Sequence, residues 1–221
     1  MNDRKKIDTI IFDLDGTLIN TEALKSAFKQ IAIDYGCSNK EADEVYKMSR
    51  TKINPETGKE EMAFCREYFE EQLKKFLKEK KGKAVENINF QELDKLLNED
   101  LLIDGAKELV ERCKRLEVQG VKIYLITLGV ESWQRDKLKG SGLDKYFTFG
   151  DGKKEVNILI TPDNEEEGGR KQGAIKDKFG RLFDGRDAVL FNDKPWETRL
   201  LLDSENFPEM QAFVVRQKKD A

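Results

Sequence analysis

The sequence predicts an α/β fold: a parallel sheet with helices on both faces, interrupted after its first strand by a helical insertion. Three observations carry this. Ile7, Thr9, Ile10, Ile11 and Phe12 form a near-continuous β-branched and aromatic run, the mark of a strand covered on both sides. Ala106, Leu109, Val110, Cys113 and Leu116 recur at helical spacing and lead into Val121-Lys122-Ile123-Tyr124-Leu125-Ile126-Thr127, a helix-then-strand unit that returns the chain to a parallel sheet. Ala188-Val189-Leu190-Phe191 is a compact apolar strand far along the chain.

Between the first strand and this unit, residues 19–101 read as all-helical. Leu24, Ala27, Phe28, Ile31 and Tyr35 share one stripe, with Asn20 or Thr21 as the cap and Gly36 as a left-handed stop. A second helix is expected over Asn39–Met48, a loop at Asn54-Pro55 and Thr57-Gly58, a longer helix carrying Met62, Cys65, Phe69, Leu73 and Phe76, and a short one around Phe90, Leu93, Leu96 and Leu97. Beyond Thr127 the pattern predicts a helix over Glu131–Lys139, a strand over Val156–Ile160, a polar loop over Pro162–Gly173, a short helix with Ala174, Ile175 and Phe179, and a last strand over Met210–Val215.

Composition narrows the function. The chain has 221 residues, enough for one ordinary domain plus a smaller one. Its 40 Lys and Arg nearly balance 43 Asp and Glu, so no global field points to nucleic acid or a membrane surface. No apolar leader or membrane-spanning run is present, and Cys37, Cys65 and Cys113 are odd in number and widely spaced; both features fit a cytoplasmic protein with reduced thiols. There is no histidine at all, which excludes Ser-His-Asp triads, histidine general bases and the commonest zinc sites. Acid-base chemistry therefore falls to carboxylates, Lys, Tyr or Cys. A Gly-x4-Gly-Lys-Ser/Thr loop is missing, and Gly150-Asp151-Gly152 is not completed by a glycine at Glu155.

Chemistry concentrates at strand ends. Asp13 closes the first strand and Asp15 follows on the turn that Gly16 permits, so two carboxylates emerge at the edge where open α/β sheets bind ligands. Acids held this close repel each other unless a cation or a shared proton compensates, and Asp-x-Asp-Gly-Thr on a strand end reads as a site for Mg2+ and phosphate. A calcium-binding EF-hand loop is excluded, because Leu18 stands where that loop needs Gly and Leu24 where it needs Glu.

Asp13-Leu14-Asp15-Gly16-Thr17-Leu18 resembles the first motif of the haloacid dehalogenase-like (HAD) superfamily of phosphotransferases. Thr127-Leu128-Gly129 resembles the second motif, whose hydroxyl donates to a phosphoryl oxygen. Lys171, just before a short helix, resembles the third, with Lys176 and Lys178 as alternatives; Asp193 and Glu197, after the strand ending at Phe191, resemble the fourth. The resemblance implies a Rossmann-like core made of residues 1–18 and 102–221, with residues 19–101 inserted as a helical C1-type cap. It also implies a Mg2+-dependent phosphomonoester hydrolase. Asp13 would be the nucleophile that forms an aspartyl-phosphate and Asp15 the general acid and base, while Thr127 and Lys171 would neutralise charge. Asp13, Asp193 and the Asp15 carbonyl would hold Mg2+, with Glu197 ligating or orienting a bound water. The expected partner is a small phosphomonoester. A phosphomutase acting on a sugar phosphate, or a non-catalytic regulatory or binding protein on the same fold, stays open. Tyr46, Arg50 and Arg66 in the insertion, and Val130, Glu131 and Trp133 after Thr127, are candidate cleft residues.

Overall fold

Strand β1 (Thr9–Asp13) is buried along its whole length in the computed structural model, which describes residues 7–99, 101–147, 157–161, 188–202 and 210–216. The chain then turns into α1 (Thr21–Asp34), where Asn20 Oδ1 accepts the amide of Ala23 at 3.1 Å and so caps the helix. α2 (Asn39–Met48) starts in a capping box, Ser38 and Glu41 each accepting the other's backbone N–H. Next come β2 (Thr51–Ile53), β3 (Glu60–Met62), α3 (Arg66–Lys81) and α4 (Gln91–Glu99).

The pair β2–β3 corrects the all-helical expectation for residues 19–101. These strands form an antiparallel hairpin, Thr51 opposite Met62 and Ile53 opposite Glu60. Its turn is the Asn54–Gly58 stretch: Asn54 Oδ1 accepts the amides of Glu56 and Thr57, and Asn54 N–H reaches the Lys59 carbonyl at 2.8 Å. Met62 therefore belongs to a strand, and the long helix begins at Arg66.

The rest follows the expected alternation: α5 (Ala106–Lys114), a 3-10 turn over Arg115–Gln119, β4 (Lys122–Leu128), α6 (Glu131–Gly140), β5 (Ile158–Thr161), β6 (Ala188–Asn192), α7 (Pro195–Leu202) and β7 (Gln211–Val214). The stretch that carries Lys171, Lys176 and Lys178 lies outside the described residues. Five strands form one parallel sheet in the order β5-β4-β1-β6-β7, and the fold is Rossmann-like. Phe12 stands opposite Leu125 on one side and Phe191 on the other. With every strand parallel, the C-terminal ends of β1, β4 and β6 share one rim.

Both faces of the sheet are apolar, as the unalternating β1 run requires. Ile10, Phe12, Ile123 and Leu125 join a large cluster with Val110 of α5 and Trp133 and Leu138 of α6; Ile11, Tyr124, Ile126, Leu190 and Met210 form a second, smaller cluster. The larger cluster continues into the insertion. Phe28, fully buried, packs edge-on against Phe69 at 4.8 Å and Trp133 at 5.6 Å. Burial of one such ring is worth roughly 1.5–3 kcal/mol, and the aromatic pairs add to it. The two chain crossings between insertion and sheet pair with each other: Asn20 N–H donates to the Leu101 carbonyl at 2.9 Å and Ile103 N–H to Leu18 at 3.0 Å.

Candidate active site

Immediately after β1 the backbone folds tightly on itself. The Leu14 carbonyl accepts N–H groups from Thr17, Leu18 and Ile19, and Gly16 N–H donates to Ile19 at 2.9 Å. Gly16 takes φ +83°, a conformation natural to glycine. Asp13 is 2% exposed, and its Oδ2 accepts the Thr17 hydroxyl at 3.1 Å. Asp15 projects from the turn toward α6.

Lys137 of α6 meets it there. Its Nζ donates to Asp15 Oδ1 at 2.6 Å and Oδ2 at 2.7 Å, and the lysine side chain is only 3% exposed. The Thr127 hydroxyl and Gln134 Nε2 each lie 3.5 Å from Asp15 Oδ2, and the Thr21 hydroxyl 3.5 Å from Oδ1. Gln134 Nε2 also donates to the Leu128 carbonyl at 2.8 Å, tying α6 to the end of β4.

Asp193, one residue past β6, comes in from the other side of β1. A β-carbon built on Gly16 would stand 2.7 Å from Asp193 Cγ and nearer still to Oδ2, so the carboxylate rests directly on the glycine. Behind it, the buried Asn192 amide donates to Glu197 Oε2 at 2.9 Å. Glu197 lies in the first turn of α7, where negative charge suits the helix dipole. Of the residues singled out in the sequence, Asp13, Asp15, Thr127 and Asp193 all line one cavity of about 370 Å³, while Glu197 sits behind Asn192.

The cavity extends toward the insertion. Tyr46, Arg50, Met62 and Phe64 line its far wall, and Trp133 stacks edge-on to Phe64 at 6.2 Å. Burial pushes the Tyr46 phenol up; the Arg50 guanidinium opposes this, and the Asp15 and Glu22 carboxylates reinforce it. Arg66 faces away, paired with Asp94 and lying over the Phe90 ring. Sequence reasoning missed Lys137 and Gln134. The available signal was positional: Lys137 falls one turn after Trp133, on the face that α6 buries.

Chemically, the rim offers hard oxygen donors. Asp13 and Asp193 approach from adjacent strands. No cluster of three metal-ligating side chains occurs among the described residues, which agrees with the Asp15 carboxylate being turned to Lys137. Two carboxylates on one rim, without thiol or imidazole, suit Mg2+.

Residues 7–195 match the profile of the haloacid dehalogenase-like hydrolases. The chain belongs to this family. Several solved structures share the fold of this HAD-like hydrolase. A Burkholderia xenovorans protein assigned as a haloacid dehalogenase-like hydrolase aligns with a TM-score of 0.56 at 14% identity, covering 96% of this chain and 84% of that one. A Thermotoga maritima protein assigned as a beta-phosphoglucomutase aligns with a TM-score of 0.55 at 15% identity, covering 97% and 88%. The HAD-hydrolase assigned as YfnB of Bacillus subtilis, in a magnesium-bound form, aligns with a TM-score of 0.50 at 20% identity, covering 89% and 84%. No curated protein matches the chain. Among the described residues, no helix is long and apolar enough to cross a membrane.

Proposed function

We propose that this HAD-like hydrolase is a Mg2+-dependent phosphomonoester hydrolase working through an aspartyl-phosphate on Asp13. One observation carries the reading: Asp13, Thr127 and Asp193 stand at the ends of three neighbouring parallel strands, on one rim and in one cavity with Asp15. Asp13, Asp193 and the Asp15 carbonyl would hold the ion. Mg2+, when bound, offsets the repulsion between the Asp13 carboxylate and the phosphate dianion.

In the first half-reaction an Asp13 oxygen bonds to phosphorus as the bond to the leaving oxygen breaks, and Asp15 gives that oxygen a proton. In the second, water attacks the phosphoryl group, Asp15 takes its proton, and Asp13 is released. The Thr127 hydroxyl donates to a transferring oxygen, and Lys171, or Lys176 or Lys178, supplies a further cation. Glu197 acts at one remove, through its bond with Asn192, to set the direction of Asp193. An acid at position 15 favours phosphate transfer over dehalogenation, which has no leaving alkoxide to protonate.

Residues 19–101 serve as a C1-type cap over a core of residues 1–18 and 102–221, and the paired crossings at Leu18–Asn20 and Leu101–Ile103 support that division. The cap presents Tyr46 and Arg50 to a small phosphomonoester. Free Cys37, Cys65 and Cys113 fit a reducing cytoplasm. The test is phosphate release from a broad phosphomonoester panel, with and without Mg2+, by wild type and Asp13→Asn. Metal-dependent release that the substitution abolishes in a folded protein is expected. Equal activity in the variant excludes Asp13 as nucleophile, and an isomerised phosphosugar in place of free phosphate makes the protein a mutase.

A further inference from the structure

Lys137 is an anomaly of α6. Its side chain is 3% exposed in a position one turn from Trp133, where an apolar residue would serve packing better. Helix-end lysines that merely answer the dipole reach into water, as the exposed Lys139 does. Stability does not account for it either, since replacing a buried ion pair by apolar groups of similar volume is often neutral or favourable. Its bonding partner among the described residues is Asp15, held by both carboxylate oxygens.

We propose that Lys137 is a positioning residue: its ammonium fixes the direction of the Asp15 side chain, toward α6 and away from the Asp13–Asp193 oxygens. The inference rests on the phosphate-transfer reading for its consequence, but its geometry stands without it. Asp15 lies on the turn after β1, directly before Gly16 at φ +83°. Three further polar groups near it, on Thr21, Thr127 and Gln134, sit at 3.5 Å, the outer limit of a hydrogen bond. Lys137 adds two short contacts, from a helix that is itself tied to β4 through Gln134 and Leu128. Lys137 thereby separates the two acids of the first motif: Asp13 with Asp193, and Asp15 with α6. Loss of the ammonium leaves Asp15 able to turn into the metal-binding oxygens.

The test uses Lys137→Met, Lys137→Ala and, as control, Lys139→Met. A crystal structure of Lys137→Met, near in volume and expected to fold, should show the Asp15 carboxylate rotated off α6. With Mg2+ and the best ester of the panel, kcat should fall by about 100-fold, the scale of a misplaced proton-transfer group, while KM stays within about threefold. Lys139→Met should match wild type. Ethylammonium should restore kcat of Lys137→Ala by roughly 10-fold, and n-propanol, similar in shape but uncharged, should not. An Asp15 carboxylate unmoved in Lys137→Met overturns the proposal, as does equal rescue by the alcohol. If wild type hydrolyses no ester at all, the parent reading fails, and the crystallographic comparison still decides the role of Lys137.

Discussion

The carboxylate of Asp193 lies over the α-carbon of Gly16, two groups separated by most of the chain, with no space for a methyl group between them. Gly16→Ala sets two penalties against the fold. The left-handed φ costs a non-glycine residue about 1 kcal/mol, and the new methyl drives Asp193 off its position. Calorimetry should show a melting temperature lower by about 2–4 °C, a modest change for a chain of this size. Phosphate release should fall by about 100-fold, because a displacement near 1 Å at a reacting centre has that scale. A variant that is destabilised but fully active would show that Asp193 need not be where Gly16 lets it rest.

In the proposed site Asp193 would hold the ion and Glu197 would act behind it, and titration calorimetry with Mg2+ separates the two roles. Glu197→Gln alters the partner of the Asn192 amide and, on the proposed reading, should weaken Mg2+ by roughly 10-fold to 100-fold. Asp193→Asn removes a charge from the ligand pair and should weaken it further. The reverse order would make Glu197 the direct ligand.

Gly140, at the end of α6, packs against the insertion so closely that a β-carbon there would lie 2.7 Å from the Leu97 carbonyl oxygen of α4. Gly140→Ala gains about 1 kcal/mol in helix propensity and loses about 1–3 kcal/mol to overpacking against rigid backbone. The clash wins, and urea unfolding should give a net loss of about 1 kcal/mol. A gain in stability would mean that α4 and α6 can part without cost.

The capping box of α2 makes acid stability depend on one carboxylate. The Ser38 amide, then Lys81 and the Ser38 hydroxyl, hold Glu41 down to about 2. A depressed acid contributes stability above its unfolded value, about 4.3, and that stability is lost as pH falls through the folded value. Glu41→Gln should therefore flatten the decline of stability between about pH 4.5 and pH 2, seen by circular dichroism in urea. An unchanged slope would mean that other carboxylates govern unfolding in acid.

The sheet could be read in the sequence because its strands are buried on both faces, so Ile10, Ile11 and Phe12 carry no polar alternation to confuse with a helix. The rim residues were legible for a related reason: Asp13, Thr127 and Asp193 interrupt or end apolar runs where a polar group has no packing role. The hairpin was not legible, since β2 and β3 span three residues each and their half-exposed side chains leave no run to detect. Lys137 was hidden by number. One lysine among 40 basic residues gives no sign of burial until tertiary packing places it under the site.

The sheet order has a bearing on how the molecule comes into being. Since β1 is flanked by β4 and β6, both later in the chain, it lacks its full pair of neighbours until residue 192 has emerged, and the rim stays incomplete until Asp193 follows. Long-range closure of this kind is slow relative to helix formation. A nascent or truncated chain thus exposes Asp13 before Asp193 can stand beside it, and under the proposed mechanism it would be inactive until the closing strand is in place.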